Sequence, residues 1–240
     1  MQKPIVYLIP SLLDENGIHT IPLYITDAVK NCQVFFVENE RTSRRFLKLL
    51  WKACLPGQEM VIDNYEWFTI HKAEEGAISI FKQKLKEGKA IGIISEAGCP
   101  GIADPGQLLV AAAQEMNVEV KPLVGPNSIL LALMASGMNG QQFHFAGYLP
   151  IDNQQRMQAV KELENESKKK NCTQLFIETP YRNNQLIEVI LKTCNPSTRF
   201  CIAVDITGEK EWIKTKTVAE WKKEKIDIHK RPAIFLLSAI

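Results

Sequence analysis

The sequence predicts an α/β protein built from two α/β subdomains. Two observations carry this. Short apolar runs alternate with amphipathic stretches through the first half of the chain, and the second half restarts that alternation with strands and helices of its own. In the first half the apolar runs at 5–9, 34–37, 90–94 and 118–124 read as strands buried on both faces, the pattern of a mostly parallel sheet. Amphipathic stretches at 21–29, 41–51, 77–85 and 108–116 supply helices between them. The stretch V61-I-D-N-Y-E-W-F-T-I70 is less regular and reads as an extended excursion. The second half opens near Pro122-Leu123-Val124-Gly125-Pro126, with a helix over 127–136, an apolar strand over 143–149 and a polar helix over 154–170. That helix ends in three lysines, which suit the negative end of the helix dipole. Strands follow at 173–178, 199–205 and 233–238, with an amphipathic helix over 183–193. The subdomains are therefore expected at 1–121 and 122–240.

Composition narrows the class further. Of 240 residues, 45% are hydrophobic and 23% charged, and 29 basic residues stand against 27 acidic ones. A net charge of +2 carries no whole-molecule preference for polyanions, so a nucleic acid would have to meet a local patch. The six cysteines form no C-x-x-C pair and no zinc-type cluster with histidine, so the sequence predicts no metal site. Several sit within apolar runs, as buried reduced thiols do in a cytosolic, here cytoplasmic, protein. The start, MQKPIVYLIP, lacks a basic region followed by a long apolar stretch, and no apolar run is long enough to span a bilayer.

The most informative stretch is S95-E-A-G-C-P-G-I-A-D-P-G106, between the strand at 90–94 and the helix that follows. In open parallel sheets, ligands bind beyond the carboxyl ends of the strands. Glycine lets a backbone approach a ligand closely and take positive φ, whereas proline stiffens the turn. Asp104, before Pro105, is positioned as a helix N-cap. The stretch matches neither the P-loop nor the G-x-G-x-x-G pattern. By itself it fits a rigid loop that presents backbone groups to a ligand, and equally a structural turn before a capped helix.

This loop resembles S-D-A-G-T-P-G-I-S-D-P-G of the tetrapyrrole methylase superfamily, and more closely the branch that methylates the ribose of a cytidine in small-subunit ribosomal RNA. V124-G-P-N-S-I-L-L-A-L-M-A-S-G137 resembles the family's P-G-P-S-A helix start. F143-H-F-A-G-Y-L149 with Pro150 resembles F-x-F-x-G-F-L-P, F176-I-E-T-P-Y-R182 resembles F-Y-E-S-P-H-R, and E38-N-E-R-T-S-R44 resembles E-D-T-R-x-T-R. The resemblance implies two α/β domains, S-adenosylmethionine in a cleft between them, and a homodimer. It places Pro10, Ser95, Ala97, Gly98, Gly101, Ile102 and Asp104 at the cofactor, with Asn127 and Ser128 from the start of the second half. Tyr148, Leu149, Pro180, Pro232 and Ala233 complete that set. It also implies ribosomal RNA or the small ribosomal subunit as partner. Alternatives that the residues leave open are a methyltransferase of the same fold acting on a small molecule such as a tetrapyrrole, and a non-catalytic protein that binds S-adenosylmethionine.

The departures are as specific as the matches. The family's G-T-P-I-G-N-L-x-D is replaced by I9-P-S-L-L-D-E-N-G-I-H19. Its E-D-T-R has become E38-N-E-R41, A-R-E-L-T-K has become A203-V-D-I-T-G208, and of H-x-H-N-E only His71 remains. These changes fall in segments expected to meet substrate.

Methyl transfer to a hydroxyl needs an in-line nucleophile and a base for its proton. Glu38 and Arg41 are the catalytic candidates. For Glu38 the structural alternative is a helix N-terminal acid paired with Arg41 or Arg44. Arg44, together with Arg41, Arg45 and Lys48, gives a basic face suited either to RNA phosphates or simply to solvent. Arg44, His71, Glu178, Tyr181 and Arg182 are the substrate-side candidates. Glu178 either orients substrate or hydrogen-bonds Arg182, His71 is a lone histidine, and Tyr181 offers a ring for stacking or for packing.

Overall fold

The computed structural model describes residues 3–58, 60–70 and 75–239, and the chain divides into two compact units, Met1–Asn127 and Ser128–Ile240.

The first unit alternates strand and helix: β1 (Ile5–Ile9), α1 (Ile25–Asn31), β2 (Val34–Val37), α2 (Glu40–Cys54), β3 (Glu66–Thr69), α3 (Glu75–Lys86), β4 (Ala90–Ile94), α4 (Gln107–Glu115) and β5 (Glu119–Pro122). Its five strands lie in the order β3-β2-β4-β1-β5, and every pairing is parallel. Within β2 and β4 every residue is buried, so neither strand alternates polar with apolar positions. One core forms where α1 and α2 (Ile25, Val29, Phe46, Leu47, Leu50) meet Tyr7, Ile9, Phe35 and Ile94. A second core joins α3 and α4 (Phe81, Leu85, Leu109, Ala113) to Val6, Phe36, Ile91 and Ile93. Successive strand residues serve opposite cores, as the pleat requires. The ambiguous stretch at 61–70 resolves into a 3-10 turn at Ile62–Asn64 and the edge strand β3. Its sequence gave little signal because an edge strand needs no continuous apolar run.

The order of the strands places the ligand end. β1 connects to β2 on one side, whereas β4, its neighbour, connects to β5 on the other. Loops that leave adjacent strands in opposite directions open a crevice at the carboxyl end of the sheet. The 95–106 loop leaves β4 at this point.

The second unit contains α5 (Ser128–Ser136), β6 (Phe143–Tyr148), α6 (Asn153–Lys170), β7 (Thr173–Ile177), α7 (Asn183–Thr193), β8 (Arg199–Val204), β9 (Trp212–Thr217), α8 (Val218–Trp221) and β10 (Ala233–Ser238). Its sheet runs β6-β7-β10-β8-β9, and only β6 and β7 pair in parallel. This sheet is therefore mostly antiparallel, unlike the first. Helices α6 and α7 cover it with Val160, Leu163, Leu186 and Ile190 against Phe176, Phe200 and Phe235, which stack in series across the sheet. Buried Glu164 ties down the turn after α7: its carboxylate accepts from the Asn195 backbone N–H at 2.8 Å and side chain at 3.2 Å, and from the Thr198 hydroxyl at 2.5 Å. All six cysteines are free; Cys32, Cys194 and Cys201 are buried and the other three are half-buried. Among the described residues, no helix is long and apolar enough to cross a membrane.

Candidate functional site

In the first unit the candidate residues converge because three chain segments end together. β1 ends at Ile9 and leads into Pro10, β2 ends at Val37 and leads into Glu38, and β4 ends at Ile94 and leads into Ser95. The loop is braced from both neighbours. Ser11 forms a short antiparallel bridge with Gly98: its N–H donates to the Gly98 carbonyl at 2.8 Å, and its hydroxyl donates to the Ser95 carbonyl at 3.0 Å. The Glu96 N–H donates to Glu38 Oε2 at 3.1 Å, and the Thr42 hydroxyl donates to Glu96 Oε1. The altered N-terminal segment thus still meets the loop, through Ser11.

The loop's glycines serve its conformation. Gly98, Gly101 and Gly106 have φ of +71°, +77° and +123°, and Ala103 adopts φ +62° without being glycine. The Gly101 N–H closes a turn on the Pro105 carbonyl at 3.3 Å, and the Ile102 N–H closes one on Cys99 at 3.3 Å. Asp104 is not the N-cap that the sequence suggests. The helix begins two residues beyond Pro105, with Gly106 at the cap position and no side-chain cap hydrogen bond there. The Pro105–Gly106 turn carries Asp104 away from the helix end.

Asp104 instead joins a group of carboxylates. Its pKa is pushed up to about 6, first by burial and then by the negative charges of Glu38 and Glu96, with a hydrogen bond from Ser95 opposing. An acid whose folded pKa lies above its unfolded value favours the folded state at low pH. That contribution is fully present below about pH 4 and is lost as pH rises through about 6. Asp104→Asn is therefore expected to raise stability at pH 7.5 relative to the parent chain and to leave it unchanged at pH 3.5. Urea unfolding of both proteins at the two pH values tests this, and an equal effect at both would disprove the assignment.

A cavity of about 260 Å³ lies beside these groups, with Leu12, Leu13, Phe46 and Ile94 as apolar walls and Asp14, Glu15, Arg45 and Glu96 at its polar part. Arg45 is paired there with Glu15 at 3.4 Å, so carboxylates outnumber cations. Such surroundings suit a ligand bearing positive charge on an apolar body.

Helix α2 shows why one substitution in the E-N-E-R stretch is tolerated. Asn39 is its N-cap, and Oδ1 accepts from the N–H groups of Arg41 at 3.0 Å and Thr42 at 3.4 Å. An amide oxygen fills this place as well as a carboxylate does. Arg44 is engaged away from Glu38: it pairs with Glu40 at 2.8 Å and Asp63 at 3.4 Å and lies over the Trp67 ring. Arg41 is exposed, and its guanidinium has no ion pair among the described residues. His71 lies outside the described residues. Asn127 reaches Cys99, whose thiol also lies 3.6 Å from the Pro126 carbonyl.

In the second unit, register gathers the remaining candidates at one end of the sheet, except Ser128, which opens α5. Tyr148 pairs with Ile177, and Ile177 with Ile234, so Tyr148–Leu149, Glu178–Arg182 and Pro232–Ala233 share that end. Tyr148 is exposed and Leu149 is buried. Glu178 takes the structural option and grips Arg182. Its Oε1 accepts from Arg182 Nη2 at 2.7 Å and Nε at 3.0 Å, and from the Thr179 N–H at 2.6 Å. Burial works against the charged form of Glu178, but these hydrogen bonds outweigh it and hold the carboxyl below its usual pKa. Glu178 Oε2 is buried without a hydrogen-bond partner. Tyr181 is 67% exposed. Sequence reasoning did not single out Ser11, Thr42 and Glu96, although they lie in the quoted stretches 9–19, 38–44 and 95–106.

The chain thus joins in sequence a parallel α/β unit, with a braced, glycine-rich loop at its switch point, to a mostly antiparallel α/β unit. The family model described as Tetrapyrrole (Corrin/Porphyrin) Methylases matches residues 21–222, and the chain belongs to that family. The chain is 34% identical over 157 residues to "Ribosomal RNA small subunit methyltransferase I" of Buchnera aphidicola subsp. Schizaphis graminum, covering 64% of this chain and 54% of that protein. It is 27% identical over 217 residues to the protein of the same name from Vibrio cholerae serotype O1, covering 90% of this chain and 70% of that one. It therefore spans about half the length of the first of these relatives. Among solved structures, uroporphyrin-III C-methyltransferase from Thermus thermophilus, complexed with S-adenosyl homocysteine, superposes with a TM-score of 0.55 at 15% identity, covering 97% of this chain and 96% of that one. At that identity the likeness is one of fold.

Proposed function

We propose that the chain is an S-adenosylmethionine-dependent methyltransferase acting on small-subunit ribosomal RNA, at the 2′-hydroxyl of a cytidine. The observation that carries this reading is the braced 95–106 loop, whose carboxylates Glu96 and Asp104 stand with Glu38, after β2, beside a cavity richer in acids than in cations. A sulfonium and an ammonium group fit that donor set, and the positive-φ glycines allow close approach of backbone. The names of the relatives, and the S-adenosyl homocysteine in the Thermus structure, support the same reading. The homodimer and the cytoplasmic location belong to this proposal.

Pro10, Ser95, Ala97, Gly98, Gly101, Ile102, Asp104 and Asn127 would hold the cofactor from the first unit. Ser128, Tyr148, Leu149, Pro180, Pro232 and Ala233 would hold it from the second. When bound, S-adenosylmethionine supplies an electrophilic methyl group on a sulfonium. Glu38 is the base: Oε2 is occupied by the Glu96 N–H, and Oε1 has no partner among the described residues, so Oε1 takes the hydroxyl proton. Arg41 contacts a neighbouring phosphate. The test is transfer of labelled methyl from S-adenosylmethionine to small ribosomal subunits lacking the modification, followed by mapping of ribose methylation. Glu38→Gln is expected to lower turnover by about 100-fold or more while cofactor binding is largely kept. Transfer to a tetrapyrrole with none to RNA would overturn the substrate, and cofactor binding without any transfer would favour a binding protein.

A further inference from the structure

The loop at 227–231 is stitched to the start of α7 with unusual completeness. The Lys230 N–H donates to the Pro180 carbonyl at 2.9 Å, and fully buried Asn183 donates to the Arg231 carbonyl at 2.6 Å. Asn184 donates to Asp227 Oδ1 at 2.9 Å and accepts from the Ile228 N–H at 3.0 Å, while Asp227 also accepts from the His229 N–H at 3.1 Å. This fastening holds Lys230 at φ +63°, an unfavourable conformation for a lysine. Strain of this kind persists where the surroundings impose it, and it clusters at functional places.

What the fastening displays is an aromatic ring among cationic and imidazole groups. Tyr181 is 67% exposed, His229 meets its ring edge-on with centroids 6.0 Å apart, and the Lys230 ammonium lies 5.7 Å from the ring centroid. His229 and Lys230 are themselves exposed. A tyrosine needed only for packing would be buried, and a lysine needed only for solubility would not require a strained backbone. Charge points the same way. Residues 128–240 carry 16 Lys and Arg against 12 Asp and Glu, whereas residues 1–127 carry 13 against 15. An anionic ligand is favoured on the second unit.

We infer that Tyr181, His229 and Lys230 form a platform for single-stranded RNA, on which an unpaired base of the substrate stacks on Tyr181 while Lys230 meets the adjoining phosphate. Ring stacking with backbone-tracking cations is how unpaired strands are held without reading sequence. This rests on ribosomal RNA being the substrate.

The experiment is fluorescence anisotropy with a labelled, unstructured RNA oligonucleotide across a salt series, alongside titration of the parent protein with S-adenosylhomocysteine. Tyr181→Ala is expected to weaken RNA binding by about tenfold or more, and Tyr181→Phe, which keeps the ring face, by less than about twofold. Lys230→Gly keeps the left-handed backbone and removes the charge; it is expected to flatten the slope of log affinity against log salt by about 0.7. Thermal unfolding of each variant separates loss of the platform from loss of the fold. If the parent binds RNA and folded Tyr181→Ala binds it equally well, the platform is refuted while the ribosomal RNA reading stands. If the parent binds S-adenosylhomocysteine but no RNA, that reading falls and the platform with it.

Discussion

Gly98→Val is expected to abolish binding of S-adenosylhomocysteine, with affinity falling about 100-fold or more in calorimetric titration. Two effects combine. Gly98 has φ +71°, where an L-residue costs roughly 1–2 kcal/mol and a β-branched one more. A Cβ placed there would also lie 3.2 Å from Leu13 Cδ2 and 3.3 Å from the Pro126 carbonyl oxygen. The leucine can rotate, but the carbonyl belongs to backbone and cannot. Because the Gly98 carbonyl accepts from Ser11, a shift here also opens the brace to the N-terminal segment. Gly101→Ala is the matched comparison. Its φ is +77°, but its Cβ would meet only the Gln107 nitrogen, at 3.9 Å, so backbone strain acts alone and the loss should be several-fold smaller. Wild-type affinity in Gly98→Val would place the cofactor elsewhere.

Trp221→Ala is expected to lower the unfolding free energy by about 3–5 kcal/mol, read from urea denaturation with an unchanged slope. Trp221 is fully buried, its indole N–H donates to the Phe200 carbonyl at 2.8 Å, and its ring meets Phe200 and Trp212 at 6.5 and 5.9 Å. Truncation leaves both a cavity and an unpaired carbonyl. A loss below about 1 kcal/mol would mean that α8 is not part of the core.

That helix and the strand before it lie where the sequence reading assigned no element, between the strands at 199–205 and 233–238. In W212-I-K-T-K-T217 lysines alternate with other residues because β9 is an edge strand, and charge on an edge discourages pairing with other chains. Such a strand lacks the apolar run by which β1, β2 and β4 were found. The signal for α8 was present as T217-V-A-E220, a capping box in which Thr217 and Glu220 satisfy each other's backbone N–H groups. The inner strands were legible because burial on both faces leaves only apolar residues. The loop was legible because glycine and proline are scarce and specific. Asp104 was misread because a cap was assigned from its place before proline, whereas the Pro105–Gly106 turn displaced the helix start. The grip of Glu178 on Arg182 was one of two options in the sequence, and distance decides it.

The pairing partners of β1 carry a consequence for biogenesis. Ile5 lies beside Ala90 on one flank and Glu119 on the other, so β1, once synthesised, has no neighbour until most of the first unit has been made. Contacts of such long sequence separation form late and slowly. Until then the nascent chain carries an apolar strand open on both edges, and sheet closure must await synthesis of β5, whereupon the first unit can settle while the second is still being translated.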